Sequence, residues 1–204
     1  CSLPDETAAK LYCLTGAIPA LLSLYNNNEL SFEDNVRAFL RTDSPFYSLA
    51  VNWMNESFRT TESYNTLLYA MANGYNRIGE IAKFSGFPKN KCDKYIKALI
   101  EHGLVVKAPG ENGHTKYLPA NTYLTLWYKC LLTAVPNPDG SFGDDVFNRF
   151  MQVFNDELMA DFYKDMCDYW LEKNINSIST EYIDTKNSSY HNVKVGNVTF
   201  DFAC

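Results

Sequence analysis

The chain has 204 residues, 46% of them hydrophobic, with 18 basic and 24 acidic side chains and a formal net charge of −6. That is ample apolar material for ordinary cores and too acidic for a protein that attracts nucleic acid by overall charge. No run of roughly 18 apolar residues is present to cross a membrane, and no charged-then-apolar leader precedes a cleavage site, so neither a membrane nor export is expected.

The chain begins at Cys1 without a methionine, which suggests processing or, more simply, a piece of a longer protein. Residues 1–60 read as helical. Pro4-Asp5-Glu6 suits a helix start, Ala8 to Leu14 continues it, and Gly16 and Pro19 interrupt. A next helix would carry Ile18, Leu21, Leu22 and Tyr25 and end in Asn26-Asn27-Asn28. Ser31 is placed to cap Val36 to Leu40, with Asp34 in the reciprocal position of a capping box. A helix from about Ser44 to Phe58 brings Phe46, Leu49, Ala50, Trp53 and Met54 to one side, and Trp53 reads as core rather than ligand contact.

Residues 61–119 have the pattern of a winged helix-turn-helix. Tyr64, Leu67, Leu68, Met71 and Ala72 repeat every three or four positions up to Gly74. Ile78 to about Phe84 is a shorter helix with Ile78, Ile81 and Ala82 inward, and Ser85-Gly86-Phe87-Pro88 makes a tight corner. A third helix holds Cys92, Tyr95, Ile96, Leu99 and Ile100 inward until Gly103. Leu104 to Lys107 and Thr115 to Leu118 are β-prone around the turn residues 109–113. Helix, helix, turn, helix and hairpin result.

The wheel of the third helix turns Asn90, Lys91, Lys94, Lys97 and Glu101 outward. Residues 77–116 hold eight cations against four acids, a surplus of four, while the rest of the chain holds ten against twenty. A basic island on an acidic chain is a nucleic-acid signal, with Lys89, Lys91, Lys94 and Lys97 for phosphates, Asn90 nearest base edges, and Lys107, His114 and Lys116 from the wing. Two other readings stay open: lysines that only solvate an exposed face, and contact with a protein partner. His102 suits the carbonyl end of its helix as a cap. His191 has no evident role.

From residue 120 the chain turns acidic, with eleven acids against three cations between Asp139 and Asp184. Pro136-Asn137-Pro138-Asp139-Gly140 reads as a loop, and Asp144 to Leu171 as one or two amphipathic helices whose aromatic residues are mostly core. Ser177 to Asp184, Val193 to Val195 and Val198 to Ala203 alternate as strands. Six cysteines, no two closer than twelve positions, exclude zinc-knuckle spacing and give no disulfide framework, which fits a reducing cytoplasm. The fold class expected is α+β, mainly α: a helical bundle (1–60), a winged helix-turn-helix (61–119) and a small α/β domain (120–204).

Leu14 to Ala20, Tyr64 to Gly74, Ile78 to Ala82, Lys94 to Leu99 and Gly103 to Val105, in that order and spacing, resemble the region after the nucleotide-binding core in archaeal-type AAA/STAND ATPases of prokaryotes. Tyr117, Asn121, Tyr123, Leu124, Leu126, Trp127 and Tyr128 are similar to the opening of that family's next domain, with Asn121 where an Asp is usual and Leu126 where a Phe is usual. The resemblance implies a helical lid, a winged helix and a final PD-(D/E)XK nuclease-like domain. No P-loop is present among these residues, so hydrolysis by this chain is not expected. ATP with Mg would belong to a longer parent, which Gly16 and Pro19 could at most touch from the lid side.

In the nuclease resemblance Asp201 would bind a divalent metal, but Tyr163 follows Phe162 where that fold places a Glu, and the strand bearing the second acid and lysine is absent. A purely structural Asp201 is the alternative. The functions implied are a DNA-binding or regulatory region of such an ATPase, an interaction module whose winged helix docks on an ATPase core or partner protein, or a fragment of a metal-dependent nuclease.

Overall fold

In the computed structural model the described residues are 4–26, 30–110, 113–174, 193–195 and 198–200. The protein is mainly helical and separates into two compact units, residues 1–154 and 155–204.

The first unit opens with α1 (Asp5–Thr15) and α2 (Pro19–Leu22). The second helix is a single turn rather than the longer segment expected to run to Tyr25, because beyond it the amides of Leu24 and Tyr25 reach back only three residues, to the carbonyls of Leu21 and Leu22. In α3 (Phe32–Phe39) Ser31 caps as expected, accepting from the Asp34 amide at 3.1 Å. The reciprocal half differs: the Asp34 carboxylate takes the Ser31 hydroxyl at 2.7 Å instead of the Ser31 amide. Helix α4 (Pro45–Ser57) has proline in its first turn and Ser44 as its cap, 3.1 Å from the Phe46 amide. Trp53 is half-buried in it.

Next come α5 (Glu62–Ala72), α6 (Ile78–Ser85), α7 (Lys89–Glu101) and an antiparallel hairpin, β1 (Val105–Pro109) with β2 (Thr115–Pro119), in the order that the periodicity gives. Leu67, Leu68, Met71, Ile81, Cys92, Ile96, Leu99, Leu104 and Val105 form their buried core. Both α5 and α7 end in the same pair of backbone hydrogen bonds. The amides of Gly74 and Tyr75 reach the carbonyls of Met71 and Ala70, and those of Gly103 and Leu104 reach Ile100 and Leu99. Each requires a left-handed residue, met by Gly74 (φ +90°) and Gly103 (φ +70°).

The segment α8 (Thr122–Leu126) and the π-helical turn Trp127–Leu131 hold this unit together. Expected at the head of an acidic C-terminal third, they pack instead against α1, α5 and α9 (Asp144–Val153). Long-range hydrogen bonds fix them, among them Tyr123 to Phe46, the Trp127 indole to the Tyr47 carbonyl, and Tyr128 to Asn65. Phe46 sits at the centre, against Phe39, Tyr123 and Phe150.

A π-helical turn (Phe154–Leu158) precedes α10 (Met159–Asn174), and the strands β3 (Val193–Val195) and β4 (Val198–Phe200) pair antiparallel. On α10 the aromatic residues are not mostly core: Tyr163, Tyr169 and Trp170 are exposed, as is Met166. Tyr163, Met166 and Trp170 recur at spacings of three and four, so these exposed residues share one side of α10, with Asp161, Asp165 and Asp168 on the other. The strand expected at Ser177 to Asp184 lies outside the described residues.

Candidate nucleic-acid interface

The corner between α6 and α7 is built by local chemistry. Ser85 donates its hydroxyl to the Ile81 carbonyl at 2.7 Å and accepts the Phe87 amide at 3.3 Å, while Gly86 takes φ +71° between them. Pro88, already extended, starts α7 without an amide to satisfy. At the other end of α6, Glu80 accepts from the amides of Asn76 and Arg77 at 3.2 and 3.0 Å. This cap is one-sided, since an arginine side chain has no acceptor to return.

With Cys92, Ile96 and Leu99 pinned in the core, α7 leaves Lys89, Asn90, Lys94 and Lys97 exposed. The six expected cations of helix and hairpin are then not equivalent. Lys97 is held at 2.7 Å by Asp93, one turn earlier, and that carboxylate raises its pKa through hydrogen bonding and charge. Lys91 is half-buried, with its ammonium 3.8 Å over the Phe87 ring and 5.4 Å from Tyr95. Lys89 and Lys94 have no carboxylate within ion-pair distance among the described residues. Asn90 turns its side-chain oxygen onto the Lys91 amide at 2.9 Å.

The hairpin stands on the same group of helices. Lys107 pairs in register with Tyr117, and the Tyr117 amide reaches back to the carbonyl of Asn76 between α5 and α6. Tyr117 also lies near enough to Lys97 to bear on its charge. Lys107 and His114 are exposed and Lys116 is half-buried. Gly110 is required where the strands separate, because a Cβ there would lie 2.6 Å from the His114 carbonyl oxygen.

On its other flank α7 joins a row of rings: Tyr95 against Tyr64 at 4.7 Å, Tyr64 stacked on Phe58 at 3.7 Å, and Phe58 edge-on to His102 at 4.9 Å. His102 is the C-cap of α7, the place expected of it. The sequence pattern missed this row, in which Phe58, Tyr64 and His102 stand at helix ends and Tyr95 in the middle of α7.

Gly16 and Pro19 are punctuation in this structure. Gly16 ends α1 at φ +59°, and a Cβ on it would come 2.9 Å from Cβ and Cγ of Asn121. Thr122 donates its hydroxyl to the Cys13 carbonyl beside it, and Asn121 caps α8 by accepting the Leu124 amide at 2.9 Å. Pro19 occupies the first position of α2.

Asp201 lies outside the described residues, and among those residues no group of three His, Cys, Asp or Glu is placed to hold a metal. No described helix is long and apolar enough to cross a membrane. The chain matches no family model, no curated protein and no solved structure.

Proposed function

We propose that residues 61–119 are a winged helix-turn-helix that binds duplex DNA through α7 and the hairpin, within the regulatory C-terminal region of a cytoplasmic STAND-type ATPase. Lys89 and Lys94 would neutralise phosphates, Asn90 would turn from its own helix toward base edges, and Lys107, His114 or Lys116 would add a contact from the wing. The observation that carries this is the exposure of Lys89, Asn90 and Lys94 on α7, a helix held in the core by Cys92, Ile96 and Leu99. That places uncompensated positive charge at a fixed position on a chain that is acidic elsewhere.

The test is fluorescence anisotropy of a labelled duplex at about 50 mM salt, where phosphate contacts are strong. Binding that weakens in Lys89→Ala/Lys94→Ala supports the proposal. No binding at low salt, or equal binding by the double variant, rejects it.

A second reading, docking of this module on an ATPase core or a partner protein, is favoured by one observation. Tyr75 and Phe84 lie side by side with ring centres 4.8 Å apart, 42% and 40% exposed, on the flank of α6 away from α7. Loss of partner binding in Tyr75→Ser/Phe84→Ser, with DNA binding unchanged, would separate the two.

A further inference from the structure

The end of α5 and the outer side of α6 frame a cleft of about 670 Å³, lined by Asn73, Gly74, Tyr75, Glu80, Lys83 and Phe84, that shares no residue with the duplex-binding surface. Its α6 wall follows from helical spacing: with Ile81 and Ala82 buried, Glu80, Lys83 and Phe84 stand three and four apart on the outward side. On the α5 side Gly74 leaves the cleft open, since an added Cβ there would meet nothing within 4 Å. Phe84 is braced by Tyr75 at 4.8 Å and by Tyr69 at 6.0 Å, so the apolar floor is held in place although Phe84 and Tyr75 remain exposed.

Two charged groups rim this floor, and they are not equivalent. Glu80 accepts the amides of Asn76 and Arg77 at the N-terminal end of α6, where the helix dipole favours negative charge, so its charge is answered within the fold. Lys83 is exposed and has no carboxylate within ion-pair distance among the described residues, and residues 77–116 around it carry a surplus of four cations. The uncompensated charge at the cleft is therefore positive. A bulky apolar side chain with a carboxylate beside it satisfies both the rings and Lys83, whereas a basic neighbour is repelled.

Resting on the protein-docking reading given second above, we infer that this cleft takes an acidic segment of a partner protein, with one bulky apolar side chain seated on Phe84 and Tyr75 and an Asp or Glu within a turn of it reaching Lys83. Rings already held by one another lose little freedom when the anchor arrives, which favours binding by a single anchor. The basic surplus around the cleft steers an acidic segment toward it and rejects basic ones, so charge sets the choice of partner and the rings supply the affinity.

An NMR titration of the isotope-labelled chain with three synthetic peptides tests this: a Phe flanked by glutamates, the same Phe flanked by lysines, and the glutamate peptide with Ser in place of Phe. The glutamate–Phe peptide should shift the amides of Gly74, Tyr75, Lys83 and Phe84. Its affinity should fall at least about tenfold when its Phe is Ser or when the protein carries Tyr75→Ser/Phe84→Ser, and about two- to fivefold in Lys83→Ala. Lys83→Glu, a surface change that leaves the rings in place, should turn the preference toward the lysine-flanked peptide. Equal binding of both Phe peptides at these residues overturns the acidic partner and leaves the docking reading standing. Binding of the glutamate peptide that ignores its Phe, with shifts spread along α7, is charge attraction alone and overturns the cleft. No shift with any peptide overturns both.

Discussion

The hydroxyl of Tyr123 accepts the amide of Ala50 at 3.0 Å and donates to the carbonyl of Phe46 at 2.7 Å, so a side chain from α8 bridges two backbone groups one turn apart on α4. Burial pushes this phenol well above the ordinary tyrosine range, and the ring packs edge-on to Phe46. A buried hydroxyl with both capacities used is stabilising, and removing it leaves groups to re-pair at a cost. Tyr123→Phe should lower unfolding stability by about 1–3 kcal/mol. An unchanged denaturant midpoint would show that the bridge contributes nothing.

Gly16 offers a test between punctuation and nucleotide contact. Alanine there meets both a left-handed backbone and the Asn121 side chain, and each such strain costs on the order of 1–3 kcal/mol. Gly16→Ala should lower the melting temperature with no nucleotide present. A variant as stable as the parent, but altered in response to ATP, would restore the nucleotide reading.

Cys13 is fully buried, and burial pushes its thiol up to about 12. At pH 8 iodoacetamide should leave Cys13 unmodified in the folded protein while alkylating the exposed Cys167, as read by peptide mass mapping. Equal modification of the two would mean that α1 opens readily from α8.

Acid should weaken the clasp between the α3–α4 turn and the loop at 136–141. Hydrogen bonds from Ser141 hold the Asp139 carboxyl below its usual range, and Arg41 does the same for Asp43. A carboxyl depressed by folding contributes stability that is present above its unfolded pKa, about 4, and is lost as pH falls through the lower folded value. Both groups are on the surface, so the effect is modest. Asp139→Asn should flatten the decline in stability below about pH 4. The same decline in variant and parent would remove Asp139 from the account.

The local pattern carried the helices and hairpin around the proposed interface. Ile81, Cys92, Ile96 and Leu99 recur at helical spacing, and Gly74, Gly86 and Gly103 stand where left-handed turns occur. The lysines were legible only as a direction. A helical wheel turns Lys91 and Lys97 outward, but Phe87 and Tyr95 reach one and Asp93 the other; the Tyr95 and Asp93 pairings both follow the spacing of four within α7, whereas Phe87 reaches Lys91 from the corner before it. The role of Tyr123, Trp127 and Tyr128 was not legible, because their partners Phe46, Tyr47 and Asn65 lie 63 to 80 positions away. No period of 3.6 or 2 records a contact at that range.

The salt dependence of DNA binding tests the central claim most directly. Lys89, Lys94 and one wing residue amount to three phosphate contacts, each worth about 0.9 in the slope of log K against log salt. The wild-type protein should therefore bind a labelled duplex with a slope of about −3. Undetectable binding at about 50 mM salt, or a slope near zero, would contradict the claim and leave these lysines as a solvated face.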